Sequence, residues 1–367
     1  MDKNRRPAAA LALGAAVLTA ALLPAAQAAP KKIRPSCTDR ADGARELTIQ
    51  VEGQPATGRF ALPRKSPKTL VVFAHGYGHT SASWADHMSN AANKHGVAAV
   101  AMDYRGAQIS PDSNDDGLPE SRGWNVMAGA EDSIAAAKLV DTRCESIKRI
   151  VIMGVSMGGN SSGLAVALAG ARDVRKSDGS PLFDFWFDVE GATNVIETYT
   201  AARAAAPANA TAKNAQQDIE AETGGTLEAE PDAYRARTVV ARMDDVEAAR
   251  LDGAVVVHGL DDGLVPYNQG REMASLLAGS SIPTNMITIA LKSEESERET
   301  TLSGHVLGNL DPDYRSPLAG HASEKSKTHI VMVTAFERLW DLLEGNEPTG
   351  YSETLVSGDF GGSIPPN

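Results

Sequence analysis

The chain has 367 residues, 42% of them apolar and 22% charged, with a formal net charge of −12. That length suits one large core with room for an inserted subdomain. The acidic balance argues against nucleic acid as a partner and, spread diffusely, mainly serves solubility.

The N-terminus pairs a basic stretch, Lys3, Arg5 and Arg6, with an apolar run from Ala8 to Leu23, and Ala26-Gln27-Ala28 supplies an A-x-A cleavage site. We read residues 1–28 as a signal peptide and expect the chain to be secreted. No cysteine stands at the cleavage site directly after the apolar run, so lipid anchoring is not expected, and no later segment is apolar enough to span a bilayer. The two cysteines, Cys37 and Cys144, both fall in the exported part. An oxidising compartment permits a disulfide between them. It would pin the start of the mature chain beside the segment that enters the strand at Ile150.

Arg45–Glu52 and Thr57–Pro63 alternate apolar and polar residues around Gly53-Gln54-Pro55, as an edge hairpin does. Thr69–Ala74 reads as a buried strand running into His75-Gly76-Tyr77-Gly78. A helix follows with Trp84, Met88, Ala91 and His95 on one face, then a strand over Val97–Met102 ending in Asp103-Tyr104-Arg105-Gly106. Val126–Val140 reads as a helix, Arg149–Met153 as a buried strand, Asn160–Ala171 as a helix and Phe183–Val189 as a strand. Ala192–Arg250 is rich in alanine and charge and lacks a buried strand, so we expect an inserted helical cap or lid over residues 192–250. Strand Gly253–Val257, helix Gln269–Leu277, strand Asn285–Leu291, a long polar loop and a closing helix Thr328–Leu343 follow. The expected division is core over 29–191, cap over 192–250, core over 251–345 and a loose tail over 346–367. Strands alternating with helices imply an α/β fold, a mostly parallel sheet covered on both faces. Ligands on such sheets bind at the carboxyl ends of the strands.

Ser156 stands at one such end, between a predicted strand and a predicted helix, flanked by Gly154 and Gly158. That is G-x-S-x-G in the context it requires, a serine held on a sharp turn. A serine hydroxyl needs a base, the base needs a carboxylate to hold its tautomer, and the oxyanion needs N–H donors. Tyr77 and Met157 N–H are the candidate donors. Asp261 and Asp262 follow a buried strand in His258-Gly259-Leu260-Asp261-Asp262-Gly263-Leu264-Val265-Pro266. This segment resembles the acid motif of the α/β-hydrolase superfamily, and HGYG, DYRG and GVSMGG precede it in the superfamily's order. The resemblance covers roughly Arg45 to Leu343. Tyr234–Thr238 looks like the prolyl-oligopeptidase branch and its esterase relatives.

The resemblance implies an α/β-hydrolase fold and makes Asp262 the acid, with Asp261 a turn residue. Glu190, after the preceding strand, is a second candidate. The base follows the acid in this chain order, which leaves His305, His321 and His329; His329 reads as structural, within the closing helix. Ala319-Gly320-His321-x-x-Glu324 resembles the common histidine loop, so His321 is preferred, with His305 the alternative.

Asp112-Ser113-Asn114-Asp115-Asp116-Gly117 matches the first half of a calcium loop, with Asp112, Asn114 and Asp116 as ligands, but position twelve is Gly123 rather than glutamate. Calcium is therefore a weak expectation, and no redox or nucleotide cofactor is implied. The aromatic residues around Phe183–Phe187 suit core packing or an acyl pocket. The expected activity is that of a monomeric serine esterase or lipase, without stable membrane insertion, acting on a small-molecule ester. A peptidase of prolyl-oligopeptidase or aminopeptidase type is the alternative, although the sequence before the first strand leaves no room for that branch's β-propeller. A hydrolase-shaped binding protein without turnover is the second alternative.

Overall fold

Leu70–Ala74, Ile150–Met153 and Ala254–Val257 are apolar at every position, as befits strands covered on both faces. The computed structural model describes residues 37–38, 43–111, 117–291 and 320–358. It sets these runs in the interior of a nine-stranded sheet. The strands are β1 (Arg45–Val51), β2 (Gln54–Ala61), β3 (Thr69–Ala74), β4 (Ala98–Met102), β7 (Arg149–Val155), β8 (Phe185–Val189), β9 (Gly253–Gly259), β10 (Thr284–Leu291) and β11 (Tyr351–Gly358). Their order is β1-β2-β4-β3-β7-β8-β9-β10-β11. A separate two-stranded sheet joins β5 (Gln108–Ser110) to β6 (Glu120–Arg122).

The hairpin β1–β2 is antiparallel and joins β4 antiparallel; from β4 to β11 every pairing is parallel. The hairpin turns at Glu52-Gly53, both at positive φ, one residue earlier than the sequence suggests. In the centre, Val72 lies opposite Val100 on one side and Ile152 on the other. Alternate residues then reach opposite faces. Val71, Phe73, Val151, Met153, Val255 and Val257 pack on one, under helices α1 (Ala85–His95) and α9 (Ile330–Leu343), with Trp84 and Phe336 in the same layer. Leu70, Val72, Ile150, Ile152 and Val256 pack on the other, under α2 (Val126–Arg143), α3 (Met157–Ala171) and α8 (Tyr267–Gly279).

Residues 192–250 are helical, as expected, but they do two different things. Helices α4 (Val195–Ala205), α5 (Ala210–Thr223) and α6 (Pro231–Arg237) pack around Tyr199 and Tyr234, whose rings meet edge-on at 4.9 Å and whose side chains join the core on the α3 face of the sheet. Helix α7 (Met243–Ala248) instead lies directly on α3. A Cβ on Gly170 would stand 1.9 Å from Asp245 O, so α7 belongs to the helical layer over the sheet.

The tail departs from expectation. Residues 351–358 are not loose: they form β11, paired in parallel with β10 from Thr284–Tyr351 to Leu291–Gly358. The reason is the open edge of β10, whose unpaired N–H and C=O groups accept any extended segment that reaches them.

Cys37 and Cys144 form a disulfide with Cα atoms 5.3 Å apart. It ties the N-terminal segment to the end of α2, just ahead of β7. The loop it closes spans a sequence separation of 107, so its loss costs about 2–4 kcal/mol. Cys144→Ser, and equally reductant on the wild type, should lower the melting temperature in thermal denaturation. Unchanged melting in both would mean that the cross-link constrains nothing.

A second prediction concerns Asp188, on β8. It is fully buried, and neither carboxylate oxygen has a partner among the described residues. Burial pushes its carboxyl up to about 7, with His258 opposing. An acid whose folded pKa is raised binds more protons folded than unfolded between pH 4 and 7. Stability therefore falls across that window, by roughly 4 kcal/mol in total. Asp188→Asn should flatten this fall, measured as melting temperature against pH. Parallel curves for the two proteins would show that Asp188 does not carry it.

Candidate active site

One residue turns the chain from β7 into α3. Ser156 sits at φ 59, ψ −124, a conformation that a residue with a Cβ adopts at a cost of about 1–3 kcal/mol. The strand beside it holds the turn. Ser156 N–H donates to Val189 O at 2.9 Å, and Ala192 N–H donates to Ser156 O at 3.0 Å. The flanking glycines have steric reasons. A Cβ on Gly154 would stand 1.9 Å from Gly158 O, and one on Gly158 would stand 2.1 Å from Ala74 O.

Asp262 lies in the loop after β9 and is fully buried. Its Oδ1 accepts Leu264 N–H at 2.8 Å and Val265 N–H at 2.9 Å, which fixes the carboxylate. Its Oδ2 accepts the Nδ1–H of His321 at 2.7 Å. That bond sets the tautomer and leaves Nε2 as the proton acceptor. His321 Nε2 is buried and has no hydrogen-bond partner among the described residues. Apo sites often show such loose geometry before substrate tightens it. His258 Nε2–H donates to Val265 O at 2.9 Å and lies 3.4 Å from Asp262 Oδ2.

Glu190 stands beside this pair without replacing Asp262. Its Oε2 is 3.6 Å from His321 Nδ1, beyond a hydrogen bond. Its oxygens accept Gly259 N–H at 3.1 Å and Ala322 N–H at 2.6 Å. Glu190 directly follows Val189, so the end of β8 anchors both the Ser156 turn and the His321 loop.

The charges are coupled. Burial opposes the imidazolium of His321, but Asp262 and then Glu190 outweigh it and hold the group up at about 9. Burial likewise opposes the Asp262 anion, yet His321 and His258 keep it well below the usual carboxylate range. Burial, with the Asp262 charge added, raises Glu190 to about 7. Glu190, Asp262 and His321 place potential ligand atoms within 4.8 Å of one another. Those atoms are already engaged with each other and with backbone N–H groups, which leaves a metal ion little to bind.

The loop after β3 carries the candidate oxyanion donor. Gly76 N–H is taken by Glu324 Oε1 at 3.0 Å. Among the described residues no hydrogen bond consumes Tyr77 N–H or Met157 N–H. The Tyr77 hydroxyl donates to Asp218 Oδ2 of α5 at 2.5 Å, and Arg122 and Gly123 N–H bind the same carboxylate. The ring of His75 stacks on Tyr104 at 3.9 Å, and Tyr104 OH donates to His75 O at 3.0 Å.

The structure thus gives the acid–base contact to Asp262 and His321. His305 and the calcium candidates Asp112, Asn114 and Asp116 lie outside the described residues. His329 is the N-cap of α9, one residue ahead of the helix, with its ring accepting Val331 N–H. Sequence reasoning did not single out Glu324 or Asp218 for a role. Glu324 had one signal, its place three residues beyond His321; Asp218 had none among the many acids of its helix.

The family model of the alpha/beta hydrolase family matches residues 71–335. Among solved structures, a puromycin-hydrolyzing peptidase of Mycobacterium tuberculosis shares 17% identity at a TM-score of 0.52, over 85% of this chain and 41% of that one. The uncomplexed acylaminoacyl peptidase of Pyrococcus horikoshii shares 15% at 0.53, over 86% and 43%. This chain therefore spans about two fifths of either protein, and at such identity the likeness is one of fold. No curated protein matches the chain. On the family match and the sheet that carries it, the chain belongs to the alpha/beta hydrolase family.

Proposed function

We propose that the protein is a secreted serine hydrolase that cleaves carboxylic esters through Ser156, His321 and Asp262. One observation carries this reading: the 2.7 Å bond from His321 Nδ1 to a buried Asp262, in a fold where Ser156 occupies the strained strand-to-helix turn. Ser156 Oγ attacks the acyl carbonyl while His321 Nε2 takes its proton. Tyr77 N–H and Met157 N–H donate to the oxyanion. The tetrahedral adduct collapses as His321 returns the proton to the leaving alcohol. Water, deprotonated by His321, then attacks the acyl-enzyme; the second adduct collapses, Ser156 Oγ regains the proton, and the carboxylic acid leaves. Asp262 holds the imidazole and offsets its charge throughout.

Export rests on the N-terminal sequence, and the Cys37–Cys144 disulfide is compatible with it. A peptidase is the second reading, favoured by the fold neighbours that are peptidases.

The test is hydrolysis of a p-nitrophenyl ester series beside a proline p-nitroanilide. Ser156→Ala and His321→Ala should each lower kcat by roughly 10³-fold or more, with His305→Ala close to wild type. Loss with His305→Ala instead of His321→Ala would reassign the base. Turnover of the anilide alone would favour the peptidase, and turnover surviving Ser156→Ala would remove the mechanism.

The pH profile is a separate prediction. A base held at about 9 is mostly protonated at neutral pH, so kcat/KM for a neutral ester should rise with pH and level off in the alkaline range. A profile already flat at pH 7 would mean that Asp262 and Glu190 do not raise His321 in solution.

A further inference from the structure

We propose that Glu324 is the positioning residue that ties the histidine loop to the oxyanion loop and so fixes Tyr77 N–H for the reaction; this rests on the Ser156–His321–Asp262 reading above.

Glu324 lies three residues beyond His321 and is 1% exposed. Its Oε1 accepts two hydrogen bonds, from Gly76 N–H at 3.0 Å and from His79 Nδ1 at 2.8 Å. These donors bracket Tyr77 on both sides. A turn closes between them, with His79 N–H donating to Gly76 O at 3.3 Å. The carboxylate thus grips the loop at both ends of the segment that must hold Tyr77 N–H still. It also faces the turn at Ser156. A Cβ on Gly76 would stand 3.3 Å from Glu324 Oε2 and 3.5 Å from Ser156 Cβ. Gly76 is the spacer between the carboxylate and the candidate nucleophile, so a shift of Glu324 is a shift of the loop against Ser156.

The carboxylate acts as an anion. Burial opposes its charge, but His79 and then His75 hold it down at about 2. Hydrogen bonds to an ionised acceptor are roughly twice as strong as neutral ones. Burying an anion where an oxyanion must form works against the reaction unless it does something there. Fixing the donor is that return, since misplacement by about 1 Å costs on the order of 100-fold. The charge has a second effect. The groups acting on His321 are Asp262, Glu190 and Glu324, which raise it, with His329 facing it from the start of α9.

The test uses the full chain with Glu324→Ala and Glu324→Gln, assayed on p-nitrophenyl acetate across pH, with Ser156→Ala as reference. Glu324→Ala should lower kcat by about 100-fold with KM changed less than about threefold. Glu324→Gln keeps an acceptor oxygen and loses the charge. It should recover about tenfold of that loss and move the kcat/KM midpoint to lower pH. Loss carried by KM with kcat preserved, or wild-type kcat and midpoint in both variants, would overturn the proposal. If circular dichroism shows Glu324→Ala unfolded, Glu324→Gln decides by its kcat: a loss of about tenfold with KM held supports the role, and an unchanged kcat sinks it whatever the midpoint does. Activity in Ser156→Ala would instead sink the underlying triad reading and is told apart by that reference alone.

Discussion

A chain that leaves a buried strand and enters a packed helix across a single residue has no space at the neighbouring Cα positions. That constraint at Ser156 governs the rest of the site. The turn stands because the ends of β3 and β8 converge on it. Ala74 O of β3 presses on Gly158, Val189 O of β8 binds Ser156 N–H, and Ala192 N–H binds Ser156 O. The pairings Ala74–Gly154 and Val155–Val189 bring those ends level. Side chains alternate along a strand, so a slip of one residue would exchange the two core faces and misplace the serine together. Register, core and turn are one requirement.

The same convergence buries four acids near one another, and each meets the cost differently. Asp262 is stabilised by two histidines and two backbone N–H groups, and it stays ionised. Glu324 has His79 and a backbone N–H, and it stays ionised as well. Glu190 has two backbone N–H donors, but burial, with the Asp262 charge added, raises it. Asp188 has no partner among the described residues and is raised by burial. The geometry selects between the two acids beside the imidazole, since Asp262 is 2.7 Å and Glu190 3.6 Å from His321 Nδ1, and the directions of the shifts agree with it. A carboxylate can stabilise an imidazolium only if it is itself reliably ionised, and of the two beside His321 Asp262 is the better supported.

Much of this was legible in the sequence because it is local. Uniformly apolar runs mark doubly covered strands, and the glycines about Ser156 mark a crowded turn. The segment from His258 to Pro266 points to Asp262 through its resemblance to the superfamily's acid motif, and in the structure Leu264 and Val265 N–H fold back on that carboxylate. Other features were opaque because their causes are remote in the chain. Nothing near residue 324 announces Gly76 and His79, which lie 248 and 245 positions away. Residues 351–358 read as a loose tail because their mixed residue types carry no burial signal; the open edge of β10 ordered them. Chain order could not separate His321 from His305, since both follow glycine in one long polar loop; the contact with Asp262 is made by His321.

The inserted segment reads differently once its anchors are known. As an alanine-rich, charged stretch it suggests a lid hinged on the core. Yet α7 is seated on α3, and α5 is bound at two points one helical turn apart. Asp218 holds Tyr77 OH, Arg122 and Gly123 N–H, and Glu222 accepts Met127 N–H at 3.1 Å while pairing with Arg237. Lifting α5 would strip the Tyr77 side chain of its hydrogen-bond acceptor and leave two acids without their partners. Those bonds, three of them to the Asp218 carboxylate, would have to be exchanged for bonds to water. Tyr77 is therefore held at its phenol by the cap and at its backbone neighbours by Glu324. A segment gripped in this way forms part of the wall beside the loop that follows β3.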